Sequence, residues 1–384
     1  MVHNVRMKIR TRIEQMYRKS DEVLDDCALP NGALVAANSD LSIYPPSAEN
    51  YRFSWARDAA YQLRATHVLN PEKAHDRAIK YAKWLGQVWE FSETGLYLKR
   101  YGTNGTLDVR YGEHHQPDQA GALIGALDTV VPESNTDIDF VIARMADGLS
   151  GTWNGHSFGS TQDPWENRET SNKKRDVFTY TTASVIHGLH QAMTRLDSSH
   201  DTNDWKYASN EMSEVLDSEQ GSHYLRKIYP ALNSDPDNTV DSSLAGLVYP
   251  FQQHGVHSKQ TITTIQKIKE ELYTPGLGVF RYSGDTYDGI VRKKSAEATA
   301  GAWPLLTFWE AIALDRIGQP NTARDIYNDT IERLDWEYSH HNLPQDIIPE
   351  QLYPDTERQG KGVLPLAWSH AKFILATKAL KILE

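Results

Sequence analysis

Apolar side chains recur along most of the chain at intervals of three and four residues, the spacing that places them on one face of a helix. Several of these stretches begin with a proline or a capping residue, among them Pro71, Asn135 and Pro320. The pattern predicts twelve helices, at residues 3–26, 56–69, 71–91, 117–131, 136–149, 177–196, 204–224, 240–251, 258–273, 298–316, 320–335 and 363–383. No stretch shows a convincing strand alternation, so an all-α protein is predicted.

The predicted helices alternate between two kinds of surface. The third has one apolar stripe, which runs from Ala74 to Trp89. The fourth, tenth and twelfth are apolar on nearly every side, with the segments AGALIGAL, AWPLLTFWEAIAL and PLAWSHAKFILATKAL. A helix that is apolar all round is buried, whereas a helix with a stripe packs outside it. The alternation predicts six inner and six outer helices, an (α/α)6 barrel formed by residues 1–384 as one domain.

The connections between the predicted helices also alternate in length. The long ones are 27–55, 92–116, 150–176, 274–297 and 336–362, with a shorter one near 225–239. If the chain winds alternately inward and outward, all of these connections lie at the same end of the barrel. Function tends to sit on long loops over a rigid scaffold, so the chemistry is expected at this end.

Composition excludes some classes of partner. Lys+Arg number 40 and Asp+Glu 51, a net charge of -11, which leaves no basic surface for nucleic acid. No apolar run is long enough to cross a membrane. Cys27 is the single cysteine, and no secretory signal is visible, so a cytoplasmic location is expected. Ten Trp and nineteen Tyr suit either sugar stacking or an aromatic core.

Carboxylates and aromatic side chains occur together in four stretches of the long connections. These stretches are Tyr51–Asp58, Asp163–Arg168, Gly278–Tyr287 and Leu343–Gln351. Two carboxyl groups that meet over one cavity are what glycoside hydrolysis requires. One must stay protonated, which an apolar neighbour such as Trp165 favours, and the other must stay ionised. Each stretch alone has an ordinary explanation, such as a helix-start ion pair or a solvated loop, and only their co-occurrence favours function.

Together these motifs resemble those of the glucoamylase-type glycoside hydrolases, family 15, an inverting family with an (α/α)6 barrel. The resemblance covers residues from about 30 to 375, nearly the whole chain. Asn31–Asp58 resembles the opening motif of the family, and Asp163–Glu166 its general-acid motif. Gly278–Tyr287 resembles the fifth-loop motif, and Ile348–Gln351 with Pro365–His370 the general-base motif. His115–Gly121, before the fourth helix, is a looser match.

The resemblance implies roles for particular residues. Glu166 would be the general acid and Glu350 the general base of a single displacement with inversion, which requires carboxyl groups about 6.5–9.5 Å apart. The residues implied to bind the sugar are Tyr51, Trp55, Arg57, Asp58, Asp118, Trp165, Arg281 and Gln351. Acid–base hydrolysis needs no cofactor, and the paired histidines His114-His115 and His340-His341 lack a third ligand at metal spacing. No cofactor or metal is therefore expected, and the oligomeric state stays open, with a monomer compatible.

Two departures from the family pattern bear on substrate choice. Asn167 stands where many members have a second acid, and Gly301–Pro304 stands near the place of a Gly-Asn-Pro-Trp motif, which leaves the role of Trp303 open. Both lie on the side of the leaving sugar. The expected activity is exo-acting release of glucose from maltooligosaccharides or related α-glucans, with an α-1,6-glucosidase (glucodextranase type) or a trehalase as alternatives. A non-catalytic sugar-sensing domain on the same barrel is a further alternative.

Overall fold

The computed structural model describes residues 2–108, 115–166, 168–170, 176–218, 221–228, 237, 239–253, 255–291, 299–341 and 343–384, without the side chains of residues 2–8 and 218. Within these ranges the α-helices are, in chain order, α1 (Val2–Asp26), α2 (Ala56–Leu69), α3 (Pro71–Leu85), α4 (Trp89–Thr94), α5 (Pro117–Val130), α6 (Thr136–Thr152), α7 (Thr179–Leu196), α8 (Asn203–Ser218), α9 (Lys259–Leu272), α10 (Pro304–Arg316), α11 (Pro320–His340) and α12 (Ala367–Ala379). A 3-10 helix covers Ser242–Leu247.

Six helical segments form a closed inner ring. In order around it they are α2, α5, α7, the 3-10 helix, α10 and α12, and each contacts the next, with α12 returning to α2. The helices α1, α3, α6, α8, α9 and α11 pack against the outside of this ring, and the short helix α4 lies against α6. The protein is thus an (α/α)6 barrel, and the predicted all-α fold is confirmed.

Burial follows the predicted division between inner and outer helices. In α10 every residue from Pro304 to Leu314 is buried, and in α12 every residue from Ala367 to Thr377. In α3 the buried residues form one stripe that includes Ala74, Ala78 and Tyr81. Helices α10 and α12 are only 13 residues long, and no helix in the described ranges combines the length and apolar content needed to span a membrane.

Proline moves the start of two predicted helices. The tenth, predicted at 298–316, begins at Pro304, and the twelfth, predicted at 363–383, begins at Ala367 after Pro365. Proline lacks an N–H and disfavours helical geometry in the preceding residue. It therefore fits the first turn of a helix, but the residues just before it are not helical. The eighth predicted helix, 240–251, is also wrong as an α-helix, because this part of the inner ring is the shorter 3-10 helix.

Other helix ends differ by a turn or more. The predicted helix 71–91 ends at Leu85 and is followed by the separate helix α4, while 320–335 continues to His340. The helix predicted at 204–224 ends at Ser218, and residues 219–220 lie outside the described ranges. The helix predicted at 177–196 starts two residues late because those residues pair as a strand.

The long connections contain short strands that the sequence pattern does not indicate. They form three antiparallel pairs: β1 (Phe53–Ser54) with β2 (Tyr101–Gly102), β3 (Val177–Phe178) with β4 (Lys227–Ile228), and β5 (Tyr273–Thr274) with β6 (Gly278–Val279). Two residues are too few to show a two-residue alternation. The pair β1–β2 ties the first long connection to the second, so these connections are held to one another at one end of the barrel.

Candidate active site

A cavity of about 340 Å³ lies where the predicted long connections meet. Each of the five long connections supplies lining residues: Glu49 and Tyr51, Lys99 and Arg100, Trp165 and Glu166, Arg281 and Tyr287, and Glu350. The starts of the inner helices α2 and α12 supply more, including Arg57, Asp58 and Trp368. The expectation that the long connections gather around one site is therefore confirmed by the residues that line it.

Glu166 ends a tight turn of the third long connection. Its backbone N–H donates to the carbonyl of Asp163 at 3.0 Å, and its φ of 60° lies in the left-handed region. The two carboxyl oxygens have separate partners: Oε1 accepts from Trp55 Nε1 at 2.6 Å, and Oε2 lies 2.8 Å from Lys99 Nζ. This strained turn directs the side chain into the cavity, where an indole N–H and an ammonium group hold it.

Trp165 is a wall of the cavity, and its polar edge points elsewhere. Its indole N–H donates to the carboxylate of Asp241 at 3.0 and 3.1 Å, and its ring packs at 6.1 Å from that of Trp303. The sequence predicts Trp165 as an apolar neighbour for the carboxyl group of Glu166. In the structure the two oxygens of that group contact the indole N–H of Trp55 and the ammonium group of Lys99. This difference arises because the second long connection brings a lysine to the site.

Glu350 is fixed by the helix that follows it. Its N–H donates to the carbonyl of Val363 at 2.9 Å, and the hydroxyl of Ser369, on α12, donates to the carbonyl of Pro349 at 2.9 Å. The N–H of Ile348 donates to Nε2 of His370 at 3.0 Å. The Ser369-His370 pair, which belongs to the sequence motif, therefore fastens the Glu350 loop to the inner ring.

The His370 ring has one consistent protonation state. Since Nε2 accepts from Ile348, Nδ1 carries the proton and donates to the hydroxyl of Ser20, which in turn donates to the carbonyl of Met16. Burial lowers the pKa of His370 to about 3, so the ring is neutral in ordinary buffers. Through this chain of hydrogen bonds the outer helix α1 supports the loop of Glu350.

The carboxyl group of Glu350 is almost fully enclosed, with 1% of the residue exposed. Burial raises its pKa to about 8, because a low dielectric disfavours the charged form. A hydrogen bond from the Tyr51 hydroxyl and the charge of Arg281 lower this pKa, whereas the charge of Glu49 raises it. The Tyr51 hydroxyl also bonds that of Tyr287. In the empty cavity burial thus favours the protonated form of Glu350, whereas the role of general base expected from the sequence requires the ionised form.

Arg57 and Asp58 open helix α2 at the floor of the cavity. Arg57 donates to Asp118 at 2.6 Å and to the carbonyl of Pro164 at 3.0 Å. Burial raises the pKa of Asp58 to about 7, with the charge of Arg57 lowering it and that of Glu166 raising it. The two side chains give the floor a fixed donor beside an acceptor whose charge changes near neutral pH.

Arg281 lines the cavity beside aromatic rings. Its guanidinium donates to both carboxylate oxygens of Asp285, at 2.6 and 2.7 Å, and lies 4.9 Å from the ring of Tyr287 and 5.0 Å from that of Trp303. Both charged side chains are at most 3% exposed. Trp303, whose role the sequence leaves open, is thus part of the cavity wall.

We expect Asp285→Asn to lower the free energy of unfolding by about 3–5 kcal/mol, because it leaves a buried guanidinium without a counter-charge. Urea denaturation measures this loss. The matched control is Glu271→Gln, which breaks an ion pair with Lys267 of the same sequence spacing but with side chains 33% and 46% exposed. That change should cost at most about 1 kcal/mol. Equal losses in the two variants would contradict the prediction.

Two residues predicted to bind the sugar lie behind the cavity wall. Asp118 is fully buried and supports Arg57, and burial raises its pKa against the charge of that arginine. Gln351 accepts a hydrogen bond from the N–H of Gly301 at 2.7 Å and so positions the segment that carries Trp303. The other six predicted sugar-binding residues line the cavity, as do Glu166 and Glu350. The sequence does not distinguish a side chain in the wall from one that supports it.

Several residues that line the cavity were not predicted as site residues, among them Glu49, Lys99, Arg100 and Tyr287. Lys99 and Arg100 lie between Tyr97 and Tyr101 in the second long connection. Two adjacent cations in a connection at the expected end of the barrel were the one sequence feature that could have indicated them. Asn167 and His114, which the sequence singles out, lie outside the described residues.

The whole arrangement can be compared with known proteins. A family model described as "Glycosyl hydrolases family 15" matches residues 16–378. The chain belongs to this family. A relative, an uncharacterised glycosyl hydrolase of Methanocaldococcus jannaschii, is 25% identical over 90% of the chain. The chain spans about half of that relative, 52% of its length.

Solved structures support the barrel of this family-15 chain. A glycosidase variant in complex with glucose matches with a TM-score of 0.73 at 17% identity, over 97% of this chain and 98% of that one. The glucoamylase of Saccharomycopsis fibuligera matches with a TM-score of 0.69 at 15% identity, over 97% and 96% of the two chains. A bacterial glucoamylase complexed with acarbose matches with a TM-score of 0.69 at 18% identity, over 95% and 55%. At these identities the likeness concerns the fold.

Proposed function

We propose that the protein is an exo-acting, inverting α-glucosidase of glucoamylase type, which releases glucose from the non-reducing ends of maltooligosaccharides or related α-glucans. One observation carries this proposal. Glu166 and Glu350, which come from two different long connections, line the same cavity together with Arg57, Asp58 and Arg281. Two carboxyl groups at one sugar-binding cavity are the machinery of glycoside hydrolysis.

Each carboxyl group has a role in a single displacement. Glu166 transfers its proton to the glycosidic oxygen as the bond from that oxygen to the anomeric carbon breaks. Glu350, in its ionised form, takes a proton from a water molecule, whose oxygen bonds to the anomeric carbon from the opposite side. The proton of Glu166 ends on the leaving hydroxyl, the proton of the water ends on Glu350, and the sugar leaves with inverted configuration.

The remaining lining suits one terminal glucose unit. Charged groups on Arg57, Asp58 and Arg281 can make charge-assisted hydrogen bonds to hydroxyls, and the rings of Trp55 and Trp165 provide apolar walls. The cavity, at about 340 Å³, is at the small end of ligand pockets, which run from about 300 to 1,000 Å³. A small, polar, aromatic-walled cavity supports binding of a chain end rather than the middle of a polymer.

The test is to incubate the protein with maltose, maltotetraose, isomaltose and trehalose and to follow the first product by proton NMR. We expect glucose to appear first as the β-anomer, from the maltooligosaccharides. Release from isomaltose or trehalose alone would replace the proposed linkage by one of the two alternatives. Appearance of the α-anomer first would contradict the inverting mechanism, and glucose binding without any hydrolysis would favour a sugar-sensing domain.

A further inference from the structure

Lys99 contacts the carboxyl group of Glu166 directly, although no motif in the sequence points to it. Its Nζ lies 2.8 Å from Oε2, while Oε1 of the same carboxyl accepts from Trp55 Nε1 at 2.6 Å. The two oxygens are therefore fixed by different donors from different connections. A carboxyl group held at both oxygens has a defined plane, which sets the direction of the lone pair or proton that faces the cavity.

Lys99 is itself anchored from behind. Its backbone carbonyl accepts from Nε2 of Gln119, on α5, at 2.8 Å. The carbonyl oxygen of the Gln119 side chain accepts from the N–H of Arg57, on α2, at 3.3 Å. The side chain of Lys99 is 7% exposed and that of Glu166 is 21% exposed. The ammonium group is thus the less exposed member of the pair, and both side chains line the cavity.

The neighbouring cation, Arg100, contacts the ring of Trp55. The guanidinium of Arg100 lies 5.0 Å from the ring of Trp55 and forms an ion pair with Asp108 at 2.7 Å. Both oxygens of Glu166 thus depend on the Lys99–Arg100 pair, one by direct contact and the other through the indole. The charge on Arg100 faces a carboxylate of its own, so Lys99 is the residue of the pair whose charge meets that of Glu166.

We propose that Lys99 is a positioning residue for Glu166, which orients the carboxyl group and stabilises the negative charge left on it as its proton moves to the glycosidic oxygen. This inference rests on the proposed function. A general acid becomes a carboxylate in the transition state, and a preorganised cation beside it lowers the energy of that state. The benefit exists only when the departing group needs the proton. Lys99 should therefore matter for a sugar alcohol as leaving group and hardly for fluoride.

The experiment compares Lys99→Met and Lys99→Arg with the wild type on two substrates. One is the disaccharide that the wild type hydrolyses, and the other is α-glucosyl fluoride. We expect Lys99→Met to lower kcat on the disaccharide by about 10- to 100-fold, the range for one charge-assisted hydrogen bond. On the fluoride the loss should stay below about 3-fold, because fluoride departs with little proton transfer. Lys99→Arg should recover most of the activity.

The matched control is Lys73→Met, which removes an ammonium group paired with Asp21 at 2.7 Å on the outer helix α3. It should change neither rate. Equal losses of Lys99→Met on both substrates would show a merely structural role, and a raised KM with kcat unchanged would show direct sugar binding; either result overturns the inference, as would no loss at all. If the wild type hydrolyses neither substrate, the proposed function itself fails. Thermal denaturation of Lys99→Arg checks that the fold tolerates replacement at this site.

Discussion

Glu350→Gln is expected to lower kcat by about 100- to 10,000-fold, the usual contribution of one general acid or base. The amide keeps the size of the side chain but cannot take a proton from water. Because water must be activated whatever group departs, the loss should be equally large on the disaccharide substrate and on α-glucosyl fluoride. Initial rates on both substrates measure it, and a loss confined to the disaccharide would contradict the role of general base.

The same substitution should stabilise the fold in alkaline solution. The pKa of Glu350 is about 8 in the folded protein against 4.5 for an ordinary glutamate, so the folded state holds a proton that the unfolded chain has released between these values. Stability therefore falls as pH rises through this window, by up to a few kcal/mol above pH 8. Glutamine has no proton to release. The melting temperature of Glu350→Gln should thus increasingly exceed that of the wild type from pH 5 to 9.

Glu310→Gln is the matched control for this pair of effects. Glu310, on α10, is 1% exposed and is not among the residues that line the cavity. Its carboxyl oxygens have no hydrogen-bond partner in the described structure, and burial raises its pKa well above the usual value. This variant should show a similar alkaline stabilisation with unchanged kcat. A loss of activity in Glu310→Gln comparable to that in Glu350→Gln would mean that the site responds to any change in the buried core.

Glu166→Gln is expected to lower kcat on the disaccharide substrate by about 100- to 10,000-fold, because the leaving oxygen then receives no proton. On α-glucosyl fluoride the loss should be less than about 10-fold, since fluoride departs without full protonation. The difference between substrates separates the two carboxyl groups, because Glu350→Gln should slow both. Steady-state kinetics on the two substrates give the comparison.

Glu211→Gln is the control for the hydrogen bond that Glu166 accepts. Glu211 also accepts from an indole, Nε1 of Trp153 at 3.1 Å, but it lies outside the cavity. Its replacement should leave both rates unchanged. If Glu166→Gln instead slows the fluoride as much as the disaccharide, then Glu166 does not act as the general acid, and the assignment of the two roles must change.

The fold could be predicted from the sequence because burial is encoded in each helix separately. An inner helix such as α10 is apolar on every side, and an outer helix such as α3 carries one stripe, so their alternation alone indicates two rings. The ends of the helices were harder to predict from the sequence. Pro304 and Pro365 shorten two predicted helices because each proline disfavours helical geometry in the residue before it. The 3-10 helix stands where the pattern predicts an α-helix, and nothing in the pattern separates the two.

The candidate site could be predicted only where its residues form motifs along the chain. Glu166 and Glu350 each stand beside an aromatic or proline that marks a turn, and both line the cavity. For Lys99 the sequence offers only two adjacent cations between tyrosines, because its partner lies in another connection and the pairing depends on the tertiary fold. Asp118 carries the chemistry of a ligand contact but supports Arg57 from behind, a distinction that depends on depth and not on sequence.

The neutral ring of His370 has a bearing on how kinetic titrations of this barrel are interpreted. Because the pKa of His370 is about 3, its ring stays neutral at pH values above 3 and keeps accepting the hydrogen bond from Ile348. The support that His370 gives to the Glu350 loop is therefore the same in mildly acidic and in alkaline buffers. Changes in rate over that pH range should therefore not arise from protonation of His370. The hydrogen bond between His370 and the Glu350 loop thus stays the same while the carboxyl groups of the cavity gain or lose protons.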